Sequence, residues 1–378
     1  MKILNHLRLL FVLGNVLLLF RNLSFKSRGT RFFIYCIILI DILISISKGV
    51  ACLYFKIYQR LYDLLYFIVT LFNSIILIIF SIYHSDNFKK LLIVLNSQTN
   101  FIITDEKYLK KFDGKRKILL FAVILYTGMK IVPSIMYSRY YSFSNELPLF
   151  VIIIFKINAV FSDARFFYEF IFMCELLYVF SEQMECIIGS VVRQGRFISA
   201  NFEHSDATLH QLVKSQYIKK VAEWSHAFSH VEEAIKLFNR IFNIQFSIMI
   251  SSTIFYVTTF VYDTTDLIVN RQINTLILIN YLSRVITFHI QIFLLSKAGQ
   301  RLHNNVEELK RRVGKIFILS LTDDKFYKAA QDLLDHICCD NTRIQAFGSI
   351  EVNMSLAPTF IMLYTSYAIL ALQFNNVL

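Results

Sequence analysis

Three prolines and ten glycines are all that this 378-residue chain has to interrupt a helix. With so few breakers and several long apolar runs, long helices follow. Charge is scarce too. Asp, Glu, Lys and Arg make up 17% of residues, against about a quarter in a soluble domain, which excludes that class. The six cysteines (Cys36, Cys52, Cys174, Cys186, Cys338 and Cys339) show no framework spacing, so a disulfide scaffold is excluded. The adjacent pair Cys338–Cys339 reads as ordinary cytosolic thiols, with acylation or metal binding as the alternatives. There is no Gly-x-Ser-x-Gly, no phosphate loop and no Cys-x-x-Cys, and His289 has no positioned second catalytic group. No enzyme is indicated and no cofactor is implied.

What is present is apolar bulk: 56% hydrophobic residues, with 37 Phe and 20 Tyr. Several runs exceed the ~18 residues that can cross a bilayer. Backbone groups in lipid must be satisfied within the segment, so the spans are helices. The expected fold class is an all-α membrane protein with seven transmembrane helices, at 32–54, 66–83, 118–137, 149–171, 242–262, 275–295 and 353–374. An eighth apolar stretch, at 7–20, contains Arg8, Gly14 and Asn15 and leads into Arg21, Lys26, Arg28 and Arg31 without a small-x-small cleavage site. It reads as an interfacial or packed amphipathic helix rather than a signal peptide.

Lys and Arg set the orientation. The segment before the first span and every second loop after it hold thirty of them, while the alternate loops hold four. That bias places the amino terminus in the cytosol and, after seven spans, the carboxyl terminus outside, opposite to a G-protein-coupled receptor. The net charge of +12 is thereby assigned to loops beside a lipid bilayer, and nucleic acid is excluded as a partner. The inner loops are themselves helical. Val221, Trp224, Phe228, Val231, Ile235 and Phe238 form one apolar stripe, and Phe326, Ala330, Leu333, Leu334 and Ile337 form another. The expected organisation is a cytosolic or interfacial segment (1–31), spans one to six with a ligand pocket and cytosolic loops (32–295), cytosolic anchor helices (296–352), and a last span with a short outer tail (353–378).

Polar groups inside spans are costly unless they are paired or face a cavity. Asn73, Lys130, Asn158, Tyr256, Tyr281 and Arg284 lie on spans two to six, mostly in their outer halves. They read either as interhelical hydrogen bonding or as the lining of an outward-opening ligand pocket. His226 and His230, at i and i+4, have zinc-chelating spacing, yet no His-Glu-x-x-His context accompanies them, so solvated or packed histidines are expected. The last span carries no charge. Its Leu363, Ser366 or Tyr367, Leu370 and Phe374 fall on one face, which is what a pore-lining helix needs and also what ordinary packing gives.

The carboxyl-terminal residues carry a resemblance. Ser366-Tyr367, five apolar residues, then Gln373-Phe374 resembles the Thr-Tyr-x5-Gln-Phe signature of insect gustatory receptors. Upstream, FGSIEVNMSL is similar to the Gly-x-Phe-x-hydrophobic-Asp-x-Ser-Leu run of that family, with Asn353 where Asp is usual. Ser366 replaces Thr, and Ser349 and Ile350 stand where aromatics are usual. The resemblance implies a tetrameric, ligand-gated, non-selective cation channel that detects tastants or other small-molecule cues. It would be homo- or heteromeric, and sited in the plasma membrane of a sensory neuron. It further implies that four copies of the last helix line the pore, with Gln373 and Phe374 as the gate, Phe374 closing it as an apolar ring and Gln373 offering ions a polar surface; Leu370 joins them as a pore candidate by its place on the same face. Ser366 and Tyr367 would pack between subunits. A membrane transporter and a G-protein-coupled receptor are the alternatives.

Overall fold

The computed structural model describes residues 10–54, 61–97, 149–202, 207–269, 275–319, 324–339, 342–346 and 348–374. Almost all of them are helical. α1 is Arg28–Tyr54, α2 Leu61–Tyr83, α3 Ser85–Ser97, α4 Leu149–Phe202, α5 Ala207–Val269, α6 Thr275–Leu319, α7 Asp324–Cys339 and α8 Leu356–Phe374. A short helix at 10–16 and a 3₁₀ turn at Leu23–Phe25 precede α1.

Three helices are far longer than a bilayer is thick. α4 has 54 residues, α5 has 63 and α6 has 45; at ~1.5 Å per residue even α6 is more than twice the ~30 Å hydrocarbon core. They run side by side, with α4 against α6 the most extensive contact, and α7 packs on α5 and α6 beyond the apolar end. The stripe read from the sequence is the buried one: Val221, Trp224, Phe228, Val231, Ile235 and Phe238 are all closed off from solvent. Trp224 also donates its indole N–H to Ser190 Oγ at 3.0 Å, which satisfies the polar end of a fully buried ring. At the other end the pattern inverts. Phe32, Phe33, Leu39, Ile40, Leu43 and Val50 of α1 are exposed, as suits a helix whose outer face meets lipid.

Two stretches among the described residues, Arg28–Ala51 and Ser215–Val261, are long and apolar enough to cross a membrane. A third is added if Ile68–Tyr83 and Ser85–Asn96, bent by 60° at their junction, count as one span. The expected span at 118–137 lies outside the described residues. The one at 149–171 carries Lys156, Asp163, Arg165 and Glu169, which reduces its apolarity. The all-helical architecture therefore agrees with the sequence, and the count of seven belongs to the proposal below.

Two local features differ from the expectation. The apolar run at 7–20 is not one helix: the chain turns after residue 16, with Leu18 at a φ of 63°, and tucks Leu10, Leu17, Leu19 and Phe20 into the core. The last helix starts at Leu356 rather than 353, because a hairpin comes first. β1 (Gln345–Ala346) pairs antiparallel with β2 (Ile350–Glu351), Gln345 opposite Glu351. Gly348 turns the chain at a φ of 72°, a left-handed conformation that side chains disfavour.

Candidate functional site

Two buried ion pairs tie the apolar bundle together. Arg165 on α4 is fully buried and pairs with Asp41 on α1 at 2.8 Å. It also donates to Leu17 O at 2.8 Å and to Ser74 Oγ on α2 at 2.7 Å. Asn158, about two turns earlier on α4, donates to Asp41 Oδ1 at 3.2 Å and to Ser45 Oγ at 2.8 Å. Arg21 pairs with Glu169, donates to Gln245 Oε1 on α5 at 3.1 Å, and sits 4.6 Å from the ring centroid of Phe242. Burial lowers its pKa to about 10, so the guanidinium keeps its charge at neutral pH. An ionised group this deep is tolerated only with such partners.

Higher on the bundle, Asn73 on α2 donates to Tyr256 OH on α5 at 3.1 Å and accepts from Ser252 Oγ at 2.9 Å. The Tyr256 hydroxyl also lies 3.1 Å from Thr70 Oγ1. Its ring stacks on Phe288 of α6, with centroids 5.5 Å apart, and Phe166 of α4 meets Phe288 edge-on at 5.9 Å. Three helices thus meet at an aromatic trio capped by a polar one.

Of the six residues expected to line a ligand pocket, Asn73, Asn158 and Tyr256 are buried. The structure brings Asn73 and Tyr256 together, and Asn158 joins the Asp41–Arg165 group. Tyr281 and Arg284 lie on α6, and their side chains are outside the described residues, as is Lys130 altogether. His226 and His230 touch ring to ring with centroids 4.4 Å apart, and no group of three metal-ligating side chains occurs among the described residues.

α8 has a bare flank. It rests on α5 and α6 through Leu356, Phe360 and Tyr364. Met362 is 73% exposed, and Leu363, Tyr367 and Leu370 are each at least 40% exposed. Ser366 and Gln373 share that exposure; Phe374 ends the helix, with its side chain outside the described residues. The Ser366 hydroxyl donates back to Met362 O at 2.9 Å, which removes its need for a neighbouring partner. One polar latch joins α8 to α6: His289 bonds Val285 O through Nδ1 at 2.7 Å and the Tyr364 hydroxyl through Nε2 at 2.8 Å.

The hairpin before α8 is fixed just as closely. Asn239 and Asn243, one turn apart on α5, bond Arg343 O, Gln345 N and Gly348 N. Gly299 on α6 lets Val352 O approach so closely that a Cβ there would lie 1.9 Å from that oxygen. Asn353 Oδ1 accepts from Ser355 N at 3.0 Å, a turn just before the helix that an Asp could make as well.

With that geometry in hand, comparison of the whole fold is informative. No family model matches the chain, and no curated protein matches it. Among solved structures, the insect olfactory receptor OR5 from Machilis hrabei superposes with a TM-score of 0.64, at 15% identity, over 98% of this chain and 99% of that one. The same receptor in complex with eugenol superposes with a TM-score of 0.62 at 14% identity, with the same coverage. The chain has the insect olfactory receptor fold. That fold runs from end to end at almost no sequence identity, and the solved neighbours that share it are receptors, not enzymes. The sequence reading did not single out Arg21, Glu169, Gln245 or Gly299 as bonded partners, and only their burial reveals them. Tyr364 stood two residues from the quoted motif, and nothing in its spacing marked it.

Proposed function

We propose that the protein is a ligand-gated, non-selective cation channel of the gustatory-receptor type, opened by a small-molecule cue. In this reading it spans the membrane seven times, with the amino terminus cytosolic, and assembles as a tetramer around α8. The observation that carries the proposal is the face of α8. Met362, Leu363, Ser366, Tyr367, Leu370 and Gln373 are charge-free and exposed in the single chain. Such a face suits either neighbouring subunits or a pore. The olfactory receptor fold and the carboxyl-terminal motif support the same reading, and the eugenol complex of a fold neighbour makes a small organic ligand the natural class to screen. Gln373 and Phe374 would form the gate, and the polar and aromatic groups around Asn73, Tyr256 and Phe288 would lie at the floor of the ligand site.

Voltage clamp of cells expressing the full chain tests this. Ligand-evoked cation current is expected, with Gln373→Ala and Phe374→Ala changing the evoked current or the resting leak. Unchanged currents in both variants would remove the gate assignment. A transporter reading would draw on charges inside the spans. Two of those charges, Arg165 and Asp41, pair with each other.

A further inference from the structure

The amino-terminal boundary of the bundle carries a positive patch that the channel reading does not use. Three separate segments build it. Ser24 N donates to Ser85 Oγ at 2.8 Å and Ser24 Oγ to Ser85 O at 3.0 Å, which lashes the segment before α1 to the start of α3. Lys89 of α3 then sits 5.2 Å from the ring centroid of Phe25. Arg240 of α5 lies near enough to act electrostatically on His84, whose imidazole is held below its ordinary value by burial first, then by the charges of Arg21 and Arg240. Lys26, Arg28, Lys89, Lys90 and Arg240 are thus gathered around one junction, where Asp86 supplies a counter-charge.

The patch has the geometry of a membrane surface. α3 bends by 60° away from α2, so it leaves the direction of the span and runs sideways with Lys90 exposed. Beside it, Phe25, Phe32, Phe33 and Tyr83 are each more than half exposed, and the apolar run of α1 begins directly after Arg31. Among the described residues, none of Lys26, Arg28, Lys90 and Arg240 takes part in an ion pair. Cationic side chains without protein partners, next to exposed aromatics at the start of a span, match a phosphate headgroup above an acyl chain.

We propose that this patch binds the headgroups of anionic phospholipids in the leaflet that meets the start of α1. The inference rests on the membrane-spanning reading of α1 and not on the channel reading. It is tested with the full chain in nanodiscs of mixed phosphatidylcholine and phosphatidylserine, by measuring which lipid stays bound in native mass spectrometry. Phosphatidylserine should be enriched on the unmodified chain. Lys26→Gln, Arg28→Gln and Lys90→Gln together should reduce that enrichment, by about fivefold per residue at most. Lys315→Gln with Lys328→Gln, roughly 30 Å further along the bundle and beyond the ~8 Å screening length, should leave it intact. Raising the salt on the unmodified chain asks the same question without a substitution, and the enrichment should fall. Absence of enrichment, insensitivity to salt, or equal loss in the distant control overturns the proposal. Because the readout is lipid and not current, a chain that conducts nothing can still pass this test, and failure here leaves the channel reading standing.

Discussion

Arg21 and Glu169 lie 148 positions apart and meet in the buried interior of the bundle. Removing one partner leaves the other charged and buried, so Arg21→Ala and Glu169→Ala should each cost about 3–5 kcal/mol. The pair Arg21→Met with Glu169→Leu should cost less than either alone. Thermal unfolding of the detergent-purified chain checks this, and additive losses would show that the two side chains do not interact. His84 gives a pH dependence. Its folded pKa lies below its ordinary value of 6.5, so the folded state resists protonation while the unfolded chain accepts it. Stability is full above about pH 6.5 and falls as the pH drops through that value, because the unfolded state then binds more protons. His84→Asn should flatten that fall; an unchanged pH profile would remove the assignment. Neither effect was legible in the sequence. Arg21 stood there as one more cytosolic charge, because nothing local marks which arginine has a carboxylate waiting on a distant helix.

At the scale of elements, the hairpin and α8 act as one unit held at defined points. Gly299→Ala forces a Cβ into Val352 O, and this backbone neighbour cannot rotate away. The hairpin must therefore shift, and a loss of about 1–3 kcal/mol is expected, as for overpacking elsewhere. Proteolysis between β2 and α8 should accelerate with it. Tyr364→Phe removes only the hydroxyl that bonds His289. A stability loss of about 0.5–1.5 kcal/mol and a shifted ligand dose–response are expected, while assembly is preserved. An unshifted dose–response would mean that the latch does not bear on gating. The sequence was informative here in part. The 3.6-residue stripe at 221–238 marks a buried helix face because burial must follow helical period, and it proved buried at every position. The hairpin was missed, since two-residue strands carry no period at all and their stability comes from Asn239 and Asn243, a hundred residues away.

For the whole molecule, the exposed face of α8 makes the sharpest prediction. Met362→Asp should leave the packing of a single chain intact, because the side chain points away from its own bundle, and its added cost there is that of a carboxyl group facing lipid or detergent. In a tetramer the same charge is buried between apolar subunits, so assembly should be lost. Size-exclusion chromatography with light scattering would read about four times the 44.4 kDa chain mass for the parent and a smaller species for the variant. A variant of unchanged size would place Met362 outside the subunit interface. The sequence by itself determined the class: long apolar runs and scarce breakers are requirements of the lipid solvent, and a solvent acts on every residue individually. It also carried the motif at the carboxyl end. Only the tertiary structure decided which polar groups meet, because each pairing joins helices far apart in the chain. Lipid constrains polarity at each depth, while the particular contacts that satisfy it can be made by different residues.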